Sequence, residues 1–72
     1  MSLEELDVVE LTHDIESEGL RKGERGTIVH VYKPGAYEVE FIEPDGFTKA
    51  LVTLKADDVK KAGPRNRVES KS

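Results

Sequence analysis

The sequence of 72 residues contains no cysteine, no tryptophan and only two histidines, which lie far apart. Without cysteine no disulfide can form, and two distant histidines are too few to ligate a structural zinc ion. A chain of this length therefore depends on its hydrophobic core for stability. Folding hides only roughly 60% of the unfolded surface at this size, so we expect a protein that works from its surface and not through an internal cavity.

Long apolar runs are also missing. No segment approaches the roughly 20 apolar residues of a membrane span, and the first five residues lack the basic start of a signal peptide. These absences predict a cytoplasmic protein that does not contact a membrane. No combination of acid, base and nucleophile can be nominated, so we expect a binding protein and not an enzyme, with no metal and no cofactor.

Positive charge is missing from the first part of the chain, although the net charge is only −4. Residues 1–20 carry seven carboxylates and no lysine or arginine, whereas residues 60–72 carry five basic residues and one glutamate. Charge runs of this kind often only keep a small domain soluble. The alternative is an acidic face that attracts a basic partner and disfavours nucleic acid.

The residues that are present describe a β-hairpin in the middle of the chain. Tyr37, Val39 and Phe41 alternate with Glu38 and Glu40. Because side chains along a strand point alternately to its two faces, this pattern predicts a strand with the first set in the core. The two glutamates then face solvent.

A second strand is predicted at residues 25–32, just before this one. Its alternation puts Val29 and Val31 on one face and Ile28, His30 and Tyr32 on the other, and we predict that Ile28 and Tyr32 share the outward face. Residues 33–36 place proline and glycine at the central positions of a type II turn, which returns the chain antiparallel. Gly23 and Gly26 fit turn and bulge positions at the entrance of this strand.

Turn residues divide the rest of the chain into short elements. The predicted elements are a first strand at 7–12, a loop at 13–24 pinned to the core by Ile15 and Leu20, a fourth strand at 47–54, a helical turn at 55–59 and a last strand around 59–61. The inward set of the fourth strand is Ala50, Val52 and Leu54, or alternatively the residues between them. Residues 2–5 also fit a helix capping box.

Five short strands, a long loop after the first and a helical turn before the last are the element order of an SH3-like barrel. Closing such a sheet limits the open edges that a small β protein would otherwise expose. We therefore predict an all-β, five-stranded SH3-like barrel at residues 6–62. A flexible N-terminus (1–5) precedes it, and a disordered basic tail (63–72) follows.

The sequence also resembles a known family. The segments that carry the resemblance are Asp7-Val8-Val9, Gly26-Thr27-Ile28-Val29, the run from Pro34 to Phe41 and Leu51-Val52-Thr53-Leu54. Together they resemble small, uncharacterised bacterial proteins classed as a domain of unknown function, which look like SH3-like barrels. Since some members belong with toxin–antitoxin or immunity gene pairs, the resemblance implies a small neutralising partner. More distantly, the glycine-plus-alternation pattern is similar to KOW-type domains, Tudor-like domains and the small photosystem I subunit.

We predict a surface that binds another, basic protein, on a chain that is a monomer or a weak homodimer. The candidate residues are Asp14, Glu16 and Glu18, which supply charge, and Tyr32, Pro34 and Phe47, which supply apolar contact. Tyr32 and Phe47 are either exposed anchors of this interface or caps on the ends of the barrel.

Two other functions stay open from the sequence. A nucleic-acid binder of the KOW type is opposed by the acidic total. Its contacts would be Arg21, Lys22, Arg25, Lys33 and the tail. A passive structural subunit would dock through Ile28 and Leu51. Proline-rich ligands are disfavoured, because two tyrosines and two phenylalanines are too few for a polyproline groove.

Overall fold

The computed structural model describes residues 3–62. They form five strands in one antiparallel sheet, joined by loops and turns. The strands are β1 (Val8–Leu11), β2 (Arg25–Lys33), β3 (Ala36–Ile42), β4 (Thr48–Lys55) and β5 (Val59–Lys61), in the spatial order β4-β3-β2-β1-β5. Two single 3-10 turns accompany them, the loop turn (Glu16–Glu18) and the junction turn (Ala56–Asp58). The predicted all-β class is confirmed, and each strand lies within one residue of its expected position. The predicted tail, residues 63–72, lies outside the described residues.

All five strands contribute to one hydrophobic core. Its buried members are Val9, Leu11, Leu20, Ile28, Tyr37, Val39, Phe41, Leu54 and Val59. Because residues from the strands at both edges meet in this cluster, the sheet curves around it. Burying each large apolar side chain contributes about 1.5–3 kcal/mol to the driving force for folding. The predicted inner faces of β3 and β4 are confirmed, with Ala50 and Val52 packed against the cluster.

The predicted faces of β2 are wrong at Ile28, which is buried, and at Val29, which is exposed, because the strand is irregular. Shifts of register with β3 occur just after Ile28 and just after Val31. Each shift adds a residue to β2 that has no counterpart on β3, as in a β-bulge. Ile28 and Val31 therefore both face the core although they are three residues apart, and Ile28 is 0% exposed. Tyr32 remains on the outside, 54% exposed.

Gly26 allows β2 to approach β3 and the core closely. A β-carbon at this position would lie 2.7 Å from Cγ1 of Val39 and 2.9 Å from both the carbonyl oxygen of Glu40 and Cε2 of Phe41. These separations are well below van der Waals contact between carbon atoms. Gly26 is thus required for packing and not for a bulge, since the bulges lie further along β2.

The two hairpin turns lie at opposite ends of β3. Gly35 in the β2–β3 turn has a φ of +88°, as the predicted type II turn requires. The β3–β4 turn is closed by a hydrogen bond of 2.9 Å from the Gly46 N–H to the Glu43 carbonyl. Within residues 3–62, no helix has the length and apolar character needed to cross a membrane.

Candidate protein-binding site

The long loop between β1 and β2, residues 12–24, is held against the core near its tip. Ile15 and Leu20 pair across the loop through backbone hydrogen bonds of 2.8 and 3.1 Å. Leu20 is 1% exposed and Ile15 packs against the core, so both predicted anchors are confirmed. Gly19, with a φ of +69°, ends the loop turn between them. The tip of the loop therefore has a defined conformation.

Of the three predicted loop carboxylates, Asp14 stabilises the loop, whereas Glu16 and Glu18 are accessible to a partner. The Oδ1 atom of Asp14 accepts the backbone N–H of Lys22 at 2.7 Å, which joins the two arms of the loop. Glu16 and Glu18 project from the loop turn and are exposed. Within residues 3–62, neither of these two side chains forms an ion pair or a hydrogen bond.

Carboxylates near the base of the loop are neutralised by neighbouring cations. Glu10 on β1 pairs with Arg25 at 3.1 Å, and Glu24 pairs with Lys49 at 3.1 Å. The backbone N–H of Arg21 and the ammonium of Lys49 lower the pKa of Glu24. The negative charge at the loop tip is therefore more available to a partner than the charge at the base.

His13 fastens the loop to the junction turn in a way that requires a charged ring. Its Nδ1 lies 2.8 Å from the carbonyl oxygen of Asp14, and its Nε2 lies 2.8 Å from Oδ1 of Asp58. Both partners are acceptors, and a neutral imidazole has only one N–H, so only the imidazolium can donate both hydrogen bonds. The hydrogen bond to Asp58 raises the pKa of His13. The Lys55 N–H and then His13 lower the pKa of Asp58.

These opposite shifts predict a window of pH in which the contact stabilises the fold. The His13 contribution is complete below its ordinary pKa of 6.5 and is lost as the pH rises through the higher folded value. The Asp58 contribution is present above 3.8 and is lost as the pH falls through the lower folded value. We expect His13→Gln to lower the urea midpoint more at about pH 5.5 than at about pH 8.

The second histidine provides the control for this measurement. Nδ1 of His30 lies 3.8 Å from Oε2 of Glu5, which is too long for a hydrogen bond. His30→Gln breaks no such hydrogen bond, so the change in urea midpoint should differ less between the two pH values for His30→Gln than for His13→Gln. If His13→Gln lowered the urea midpoint equally at both pH values, this result would contradict a charged His13 ring that donates two hydrogen bonds.

Tyr32 and Pro34 lie at the end of the β2–β3 hairpin that adjoins the junction turn. The Ala56 N–H donates to the carbonyl of Gly35 at 3.2 Å, so this hairpin and the base of the long loop are attached to the same turn. The Tyr32 hydroxyl donates to Oε1 of Glu38 at 3.1 Å, and this bond raises the pKa of Tyr32. Tyr32 is thus an exposed residue with a fixed hydroxyl.

Phe47 does not join the other candidate residues. It lies in the β3–β4 turn and is 74% exposed. The seven residues of β3 separate this turn from Pro34, a distance of about 20 Å along an extended strand. The six predicted residues therefore occupy both ends of the hairpin and do not form a single patch.

The residues of the nucleic-acid alternative are also dispersed. Arg25 begins β2 and is paired with Glu10, whereas Lys33 ends the same strand, about 27 Å away along an extended chain. Arg21 and Lys22 lie on the long loop beside carboxylates. Over residues 3–62 these side chains do not line one basic surface.

Two contributors to this region were missed by sequence reasoning. Asp58 is 45 positions from His13 in the sequence, and no local pattern signals a contact over that separation. Glu38 was predicted to face outwards, but its hydrogen bond with Tyr32 crosses from one strand to the next and depends on register. In the part of the chain that the structure describes, no three histidine, aspartate or glutamate side chains are grouped to hold a metal ion.

Comparison with known proteins gives the chain a family. Residues 5–61, which include all five strands, match the family model described as Domain of unknown function (DUF4926). The chain belongs to this family. No curated protein and no solved structure matches it significantly. Membership of DUF4926 assigns no activity, so a function has to be argued from the surface of the molecule.

Proposed function

We propose that this chain is a non-enzymatic protein-binding module, built on an SH3-like barrel, whose long loop docks onto a basic partner protein. The strand order and the junction turn before β5 support the SH3-like barrel. The relation to the partner is that of an antitoxin or immunity protein to its toxin. Carboxylates on the loop then occupy a basic cleft that would otherwise hold phosphate groups.

The observation that carries this proposal is a fixed loop that presents unpaired carboxylates. Glu16 and Glu18 are exposed, while Leu20, Asp14 and His13 hold the loop on which they stand. A loop that is already ordered loses little conformational entropy on binding, which favours affinity. Residues 3–62 carry fourteen carboxylates against eight lysines and arginines, and this field attracts a cationic partner from a distance.

The test reverses the charge at the tip of the loop and leaves its supports intact. The partner is first captured with the full chain and identified, and its affinity for purified variants is then measured by calorimetry. We expect Glu16→Lys with Glu18→Lys to weaken binding at least about tenfold, because two attractive contacts become repulsive. Asp14 is left unchanged, since its substitution would also break the hydrogen bond to Lys22.

A matched variant separates the loop from the total charge. Glu4 and Glu43 are exposed, and only their backbone atoms form hydrogen bonds within residues 3–62. Glu4→Lys with Glu43→Lys changes the net charge by the same amount and should retain most of the affinity. The affinity of the unmodified chain should fall as salt is added. Equal affinity for the loop variant and the unmodified chain would rule out the loop as the binding surface.

A further inference from the structure

A second surface that suits a basic partner lies on the solvent side of β2, β3 and β4, here called the outer face. Glu38 and Glu40 project from this side of β3, the middle strand of the three, and are half-buried. Residues two apart on a strand stand about 7 Å apart on the same face. The outer face therefore carries two negative charges at a fixed spacing in its centre.

No cation in the described residues neutralises this pair. Across the strands, Glu38 lies between His30 and Thr53, and Glu40 lies between Thr27 and Leu51. These opposite positions are where a lysine or arginine would normally offset a glutamate. Within residues 3–62, neither glutamate is in a salt bridge with a lysine or an arginine.

Hydroxyl groups fix the two carboxylates instead. Oε1 of Glu38 accepts the Tyr32 hydroxyl at 3.1 Å and the Thr53 hydroxyl at 2.7 Å. Oε2 of Glu40 accepts the Thr48 hydroxyl at 2.8 Å. Hydroxyl donors orient a carboxylate without cancelling its charge. The second carboxylate oxygen of each glutamate accepts no hydrogen bond from residues 3–62. The pair is thus preorganised for an external cation.

Apolar groups surround the charges. Leu51, beside Glu40, is 56% exposed, and Tyr32 and Ile42 are also exposed on these strands. Next to Glu40 is a hollow of about 130 Å³, and its lining includes Val8 and Ile42 as apolar walls. Arg25 also lines the hollow, but its guanidinium is held by Glu10. The hollow has room for one side chain with an apolar stem and a cationic head.

We propose that the outer face binds an extended segment of a partner protein that carries lysine or arginine side chains two residues apart. One basic head meets Glu38 and the other meets Glu40, with the stem of the second lying between Val8 and Ile42. Basic side chains place their methylene stems on apolar surface in this way. The inference rests on the proposed function, since it gives the chemistry of the basic partner at a second contact surface.

The experiment titrates the full, nitrogen-15-labelled chain with a short peptide while amide shifts are followed by NMR. The probe peptide is Val-Ser-Arg-Ser-Arg-Ser-Val, which puts both arginines on one face when extended. The control peptide, Val-Ser-Ser-Arg-Arg-Ser-Val, has the same composition but puts them on opposite faces. We expect the probe to shift the amides of Glu38, Glu40 and Leu51 and to bind about fivefold more tightly than the control, the effect of one correctly placed exposed ion pair.

Substitution of the glutamates then tests the charges directly. Glu38→Gln with Glu40→Gln keeps an acceptor for the hydroxyl groups, and we expect it to weaken probe binding about 25-fold because both ion pairs are lost. Glu4→Gln with Glu43→Gln has the same effect on net charge and should leave binding unchanged. The amide spectra of both variants show directly whether each is folded.

Several results would overturn the outer face as a binding site. These are equal affinity for the two peptides, no binding at millimolar peptide, or shifts of the outer face that depend on protein concentration alone, which would assign it to a second copy of the chain. Shifts centred on Glu16 and Glu18 would also exclude the outer face, yet they would support the loop. Failure of the loop itself would appear separately, in the Glu16→Lys and Glu18→Lys comparison.

Discussion

Replacing Leu20 with alanine should remove a large part of the stability of this domain. Leu20 is 1% exposed and is the one residue of the long loop in the buried core, so its truncation leaves a cavity. Such substitutions lower the free energy of unfolding by about 2–5 kcal/mol. The least stable natural domains have a total free energy of unfolding of only about 5 kcal/mol. Urea unfolding of the purified variant measures the loss.

The same substitution should also release the loop. Leu20 pairs with Ile15 through backbone hydrogen bonds, so we expect faster hydrogen exchange at both amides beyond the change in global stability. Leu51→Ala is the matched control, because it removes the same atoms from a side chain that is 56% exposed. Its effect should stay within about 0.5 kcal/mol. Similar losses for the two variants would show that Leu20 does not anchor the loop.

Replacing Gly26 with alanine should have the next largest effect. The added methyl group would meet the side chain of Val39 at 2.7 Å and the carbonyl oxygen of Glu40 at 2.9 Å. The carbonyl belongs to the backbone of β3 and cannot rotate away, so the two strands must separate. Overpacking of this kind costs about 1–3 kcal/mol, and thermal or urea unfolding would detect it.

A double variant distinguishes this steric clash from other destabilising effects of alanine at position 26. Val39→Ala removes the nearest side-chain atom, so Gly26→Ala should cost less in the Val39→Ala background than in the unmodified chain. Relief should be incomplete, because the Glu40 carbonyl remains. Strict additivity of the two substitutions would mean that residues 26 and 39 do not compete for the same space.

The strand pattern could be predicted because it depends on neighbouring residues. Tyr37, Val39 and Phe41 alternate without interruption, and a strand that is polar on one face and apolar on the other can be buried in only one way. The turns around β3 carry proline and glycine at positions where their backbone preferences decide the conformation. For these elements the local signal and the global fold agree.

The faces of β2 could not be predicted, because a bulge has no residue-type signature here. Ile28 and Val31 both enter the core only because an extra residue interrupts the alternation between them, and the sequence alternates as if none existed. The sequence predicts a turn or a bulge at Gly26. It does not show that the ring of Phe41 approaches this position from another strand, which is the reason why glycine is required. Contacts between strands decide both positions.

The candidate site also combines features that neighbouring residues determine with features that depend on contacts between distant segments. The exposure of Glu16 and Glu18 follows from composition, since a polar loop seldom buries its charges. Asp14 looked equivalent to them in the sequence, yet its hydrogen bond to the Lys22 amide makes it a support. The link from His13 to Asp58 joins segments 45 positions apart, and only the pairing of β1 with β5 brings them together.

The placement of β1 has a consequence for the order in which the chain assembles. This strand of four residues is hydrogen-bonded on one side to β2 and on the other to β5, so that Val9 lies opposite Lys61. A ribosome therefore has to add the 50 residues from Thr12 to Lys61 after β1 before the second side of β1 finds its neighbour. Closure over such a long sequence separation slows folding. Until then, one edge of β1 stays open to pairing with other chains.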